Sequence, residues 1–119
     1  MALFRFENLE IWRKALEIGH ALCDIADQLQ EQHKYRFAEQ LRDAALSVSN
    51  NIAEGSGSNS KREFARFINI AKRSAFENAN MVIFFAQREL IAQDERDILL
   101  DKLYSEARML EAFRKSLLK

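Results

Sequence analysis

The chain has no proline, three glycines and one cysteine among its 119 residues, and its 18 lysines and arginines are balanced by 18 aspartates and glutamates. Each shortage excludes something. A lone Cys23 cannot build an internal disulfide framework, and with Ala, Leu and Ile around it at helical spacing it reads as a small buried hydrophobe of a reducing compartment. A net charge of zero leaves no overall field to attract a polyanion, so any nucleic-acid contact must rest on a local patch. Nowhere do about 18 apolar residues run together, as a membrane-spanning helix requires. The opening MALFRFENLE sets Arg5 and Glu7 inside what would be the apolar core of a leader, so the expected location is cytoplasmic, with no membrane partner.

No β-branched alternating run is present either, and the abundance of Ala, Leu, Glu, Lys, Arg and Gln favours helix throughout. The spacing predicts four helices in a single domain spanning residues 1–119, at about residues 8–32, 35–54, 60–91 and 94–118. Asn8 is the expected cap of the first helix and Asp94 of the fourth. Gly55 is the expected left-handed residue that ends the second helix. Ser60-Lys61-Arg62-Glu63 matches a capping box, in which hydroxyl and carboxylate satisfy each other's orphan amides at a helix start. Amphipathic helices joined by short connections pack most simply as an antiparallel up-down-up-down four-helix bundle, an all-α fold. Apolar residues cover roughly 200° of the first helix, wider than one seam needs. With Leu46 and Phe84 off their own core faces, this points to surface buried between subunits.

Neutrality hides segregation. Residues 7–31 hold six acids and two bases, whereas residues 61–73 hold five bases and one acid. Glu10, Glu17, Asp24 and Glu31 repeat every seven residues as an acidic stripe opposite the apolar face of the first helix. Arg62, Arg66 and Arg73, with Asn69 among them, form a basic stripe on the third. Either stripe can be a solvated face. The basic one is also suited to phosphate, because the planar guanidinium fork bonds bidentately, and it could instead meet the acidic stripe of another subunit.

Other signals carry less. Glu17-Ile18-Gly19-His20 is a Glu-x-x-His string of the kind found in di-iron bundles, but such sites need a second copy and further inward carboxylates, and here both Glu17 and His20 fall on the polar face. His33 lies in a linker without partners. No spacing suggests a catalytic nucleophile, and Gly55-Ser56-Gly57-Ser58-Asn59 lacks the preceding strand and following Lys-Ser/Thr of a phosphate loop. No catalytic residue, metal, cofactor or small-molecule substrate is expected. Asn78 and Glu89 fall on the core line of the third helix, where an isolated polar group is costly; Gln40, Ser47 and Asn51 are the candidate partners in a register-fixing polar layer. Glu54, an acid in a last helical turn, opposes the helix dipole and should find a partner in Arg62, Arg66 or the amides that open the third helix.

Phe6, Leu9, Trp12 and Ala15, then the run Gln40 to Gly55, then Ser60, Glu63-Phe64, Phe67, Ile70-Ala71, Ser74 and Glu77 together resemble the four-helix-bundle proteins encoded in 23S ribosomal RNA intervening sequences. Asn51-Ile52-Ala53-Glu54-Gly55 is the most specific string. The resemblance covers nearly the whole chain. It implies an antiparallel bundle that assembles into homopentamers, with no enzymatic activity and an association with nucleic acid, since related bundles serve retroelement reverse transcriptases as accessory proteins. Asp43 stands where the family usually has a second arginine, Arg73 where it usually has a glycine, and the customary proline between the first two helices is missing. These departures take one base from the second helix and place one on the third. The expected function is a scaffold that associates with RNA or a ribonucleoprotein through Arg62, Arg66 and Arg73, with Lys61 and Arg42 beside them. The alternative is a protein-interaction adaptor that docks a partner enzyme through the first helix without touching nucleic acid.

Overall fold

The computed structural model describes residues 1–119. After a 3₁₀ turn at Arg5–Asn8 come α1 (Glu10–Glu31), α2 (Tyr35–Ser56), α3 (Lys61–Gln87) and α4 (Gln93–Leu117). Connections this short force each helix to run back along the one before it. Packing follows chain order: α1 lies on α2, α2 on α3 and α3 on α4, while the diagonal pairs do not meet. The ring closes through α4 and α1, along the sparsest of the four seams. The result is an antiparallel up-down four-helix bundle measuring 45 × 24 × 24 Å.

Three-four spacing builds the core. Ile11, Ala15, Ile18, Leu22, Ile25 and Leu29 of α1 face Leu41, Ala45, Val48 and Ile52 of α2, with Phe64, Ile68, Ala71, Ala75, Val82 and Phe85 from α3 and Leu99, Leu103, Leu110 and Leu117 from α4. Four polar side chains are buried in these rows: the small Ser49 on α2 and Ser74 on α3, and the larger Asn78 on α3 and Glu106 on α4, the last two each 1 % exposed. None of α1's large apolar residues is exposed. Trp12 packs against the Phe6 ring at 5.0 Å, so the 3₁₀ turn covers part of the extra apolar width of α1. Cys23 is half-buried rather than buried.

The helix ends depart from the sequence expectations in instructive ways. Asn8 closes the 3₁₀ turn, and Leu9, which offers no capping side chain, precedes α1. Asp94 lies inside the first turn of α4, whose N-cap is Ala92. Gly55 is not a left-handed terminator: α2 continues through it to Ser56, and no glycine has positive φ. Glycine is required there for space instead. A Cβ on Gly55 would stand 2.6 Å from the Phe67 Cβ, and one on Gly19 would stand 2.6 Å from the Ala45 carbonyl oxygen. These two residues let α2 approach α3, and α1 approach α2, at backbone distance.

The left-handed positions belong to His33 (φ 62°) and Glu89 (φ 60°). Each sits at the end of a helix closed by a pair of crossed amide bonds: His33 to Gln30 (3.0 Å) with Lys34 to Leu29 (2.8 Å), and Glu89 to Ala86 (3.0 Å) with Leu90 to Phe85 (2.9 Å). That is the Schellman closure. It ends α3 at Gln87, so Glu89 is an exposed turn residue and not the core-line group its spacing implied.

Candidate nucleic-acid interface

The start of α3 is organised by two serines. The Ser60 hydroxyl accepts the Glu63 amide at 3.2 Å, as a capping box requires, but the reciprocal half is absent because the Ser60 amide donates to the Ser58 hydroxyl at 3.1 Å. Glu63 is thereby free to pair with Arg66, which donates from Nη2 (2.6 Å) and Nε (3.0 Å). That hydrogen bonding holds the Glu63 carboxyl below its ordinary pKa and raises that of Arg66. Arg66 also lies over the Phe67 ring, 4.6 Å from its centre.

The five candidate cations therefore divide. Lys61, Arg62 and Arg73 are exposed and make no hydrogen bond or ion pair. Arg66 shares the same outer face of α3 but is partly neutralised by Glu63. Arg42 is not brought to them: it is half-buried on α2 and bridges to Asp27 of α1 at 2.7 Å. The outer line of α3 continues past Arg73 to Phe76, which is 65 % exposed. Its i+3 spacing from Arg73 was legible in the sequence, although aromatic identity alone gave no reason to place it outside.

The Asn51 to Gly55 string is mostly architectural. The Asn51 amide donates to the Ser47 carbonyl at 2.7 Å, Ile52 is fully buried, the Ala53 carbonyl accepts the Ser56 hydroxyl at 2.7 Å, and Gly55 is buried against Phe67. Glu54 is exposed and forms no ion pair; the contact expected with Arg62 or Arg66 is reduced to a through-space attraction felt by Arg66. Glu77 is exposed at the rim of a groove between α2 and α3. On the acidic side, Glu17 accepts from Lys102 of α4 at 3.0 Å, which lowers its pKa, while Glu10, Asp24 and Glu31 face solvent unpaired and His20 is exposed beside them.

A family model described as the 23S rRNA-intervening sequence protein matches residues 7–112, from the 3₁₀ turn almost to the end of α4. The chain belongs to this family. Among solved structures, it is similar to a Bacteroides thetaiotaomicron protein of unknown function from the S23 ribosomal protein family, with a TM-score of 0.82 and 21 % identity over 88 % of this chain and 98 % of that one. At that identity the likeness speaks for the fold. No curated protein matches the chain. No helix is long and apolar enough to cross a membrane.

Two buried polar groups of this chain depart from what its sequence predicts. Glu106 was overlooked although Leu99, Leu103, Glu106 and Leu110 keep three-four spacing; neither carboxylate oxygen has a partner, and burial pushes its pKa up to about 8. The spacing predicts that Asn78, with Glu89, joins Gln40, Ser47 and Asn51 in a polar layer. That layer does not form. Ser47 donates to the Ala44 carbonyl, Asn51 donates to the Ser47 carbonyl, and both polar atoms of the Asn78 amide are left without partners.

Proposed function

We propose that this protein is a non-enzymatic helical scaffold that associates with RNA or a ribonucleoprotein through the outer face of α3. It acts in the cytoplasm as a homo-oligomer, pentameric as the family resemblance implies. The observation that carries the reading is the row Arg62, Arg66 and Arg73 along one face of α3, in which Arg62 and Arg73 are exposed and unpaired, with Lys61 exposed at the start of the helix and Phe76 beyond them. Unpaired guanidinium groups at helical intervals match a phosphate backbone, and an exposed ring offers a stacking surface to an unpaired base. Arg66 adds charge once Glu63 is displaced. Arg42, committed to Asp27, contributes little.

RNA affinity measured at two salt concentrations tests this reading. Wild-type binding should weaken steeply as salt rises, and the Arg62/Arg66/Arg73→Ala variant should bind more weakly with a shallower salt slope, by about 0.7 to 0.9 per lost phosphate contact. Equal, salt-insensitive binding by both proteins would sink the reading. Light-scattering mass of the same sample tests the oligomer.

The second reading is an adaptor that binds a partner protein without nucleic acid. Its support comes from α3 and α4 rather than from α1, whose large apolar residues are covered. Phe76, Leu100, Leu103 and Tyr104 line an apolar groove of about 320 Å³, with Phe76 and Tyr104 each about two-thirds exposed. A nuclease-treated preparation that retains one stoichiometric protein partner favours this reading.

A further inference from the structure

Between α2 and α3, away from the basic row, lies an open groove of about 500 Å³ lined by Gln40, Asp43, Ala44, Ser47, Glu77, Asn78 and Met81. Its chemistry is one-sided. Asp43 and Glu77 stand exposed on opposite walls, neither in an ion pair, and no lysine or arginine lines the groove. The Ser47 hydroxyl has spent its proton on the Ala44 carbonyl, so it faces the groove as an acceptor. At the floor, Asn78 is 1 % exposed and neither its oxygen nor its nitrogen has a partner.

A buried, unbonded amide costs about 1 to 3 kcal/mol, and two unpaired carboxylates held on facing helices repel each other, so the groove lacks a group that donates several hydrogen bonds and carries positive charge. We infer that the groove between α2 and α3 is the docking site for an arginine side chain of a partner polypeptide, held by Asp43, Glu77 and Asn78. A guanidinium presents five N–H donors in a planar fork, enough in number for two carboxylates and an amide oxygen, whereas an ammonium is a point charge with three. Met81, unbranched and flexible, gives way to admit the group to the floor.

The shape of the site indicates a polypeptide rather than a free metabolite. Gln40 to Ser47 spans about 10 Å along the helix axis, and the groove is too open to enclose most of a small ligand's surface. The two carboxylates exclude nucleic acid, because they repel phosphate. This site is separate from the α3 arginine row and stands whether or not that row binds RNA.

The test uses the intact protein and three capped peptides, Ala-Ala-Arg-Ala-Ala and its Lys and Ala counterparts at the centre, followed through the side-chain amide resonances of Asn78 and Gln40. The Arg peptide should shift the Asn78 resonance saturably, with the Lys peptide weaker by about fivefold or more and the Ala peptide without effect. The Asp43→Asn/Glu77→Gln variant alters only exposed positions, so it should keep its melting temperature while losing about tenfold in affinity for the Arg peptide. Equal response to the Arg and Lys peptides, an unchanged affinity in that variant, or an Asn78 amide that contacts only bound water and ignores all three peptides would each overturn the inference. Those failures leave the RNA reading untouched, since none of these residues belongs to the basic row.

Discussion

Gly55 and Phe67 lie so close that a methyl group on the glycine would meet the Phe67 Cβ at 2.6 Å. The Phe67 Cβ is bonded directly to its helix backbone, so turning the ring cannot relieve the contact, and the Phe64 ring at 3.0 Å closes the space beside it. Gly55→Ala should therefore lower stability by about 1 to 3 kcal/mol despite alanine's better helix propensity, read as a fall in melting temperature. Gly57→Ala is the control: there a Cβ meets only the Glu54 carbonyl, at 3.4 Å, and the melting temperature should hold. Had Gly55 been a left-handed terminator, the sensitivity would come from backbone strain and any L-residue would be equally harmful; the packing explanation predicts that residues larger than alanine are progressively worse.

Glu89 holds a left-handed conformation at φ 60° with an exposed side chain that makes no hydrogen bond. Glycine adopts that conformation without the Cβ clash, so Glu89→Gly should stabilise the protein by about 1 kcal/mol, a rise of a few degrees in melting temperature. A fall would mean that the Glu89 side chain contributes something beyond the turn.

Glu106 makes stability depend on pH through an acid whose proton is retained on folding. In the unfolded chain it ionises near 4.5, whereas burial holds the folded-state value at about 8; attraction from Lys14 opposes the shift and repulsion from Glu10 adds to it. Between those values the unfolded chain binds fewer protons than the folded one, so stability falls as pH rises from about 4.5 to about 8 and levels off above. Glu106→Gln should match wild type at pH 4 and exceed it by about 3 kcal/mol at pH 7, measured by denaturant unfolding across the pH range. Parallel pH profiles for the two proteins would show that Glu106 is ionised in the folded state.

Glu111 works in the opposite direction. Arg114 (2.9 and 2.8 Å) and Lys72 of α3 (3.0 Å) hold its carboxyl down to about 2. The stability it contributes is fully present above its unfolded value of 4.5 and is lost as pH falls toward 2. Glu111→Gln should melt lower than wild type at pH 7, with the difference shrinking through the acid range.

Much of this protein is written in residue spacing. Ile11 to Leu29 and Leu41 to Ile52 advance by threes and fours, which settles helix, buried face and hence bundle without any distant contact. Ser60 as a cap was equally legible, because the cap is completed within four residues. The arginine row on α3 could be read for the same reason: residues on one helix face remain neighbours whatever the rest of the chain does.

What only the tertiary structure decided concerns contacts between helices. The family resemblance put Arg42 among the candidate cations, and the seam with α1 gave it to Asp27. Composition made Gly55 look like a stop signal, and the approach of α3 made it a spacer. Spacing placed Asn78 in the core, but whether anything would satisfy it depended on where Ser47 and Asn51 spent their hydrogen bonds, and both spent them on their own helix. Local periodicity determines which face of a helix turns inward; partners across a seam depend on helix register and approach distance, which arise only when all four helices pack.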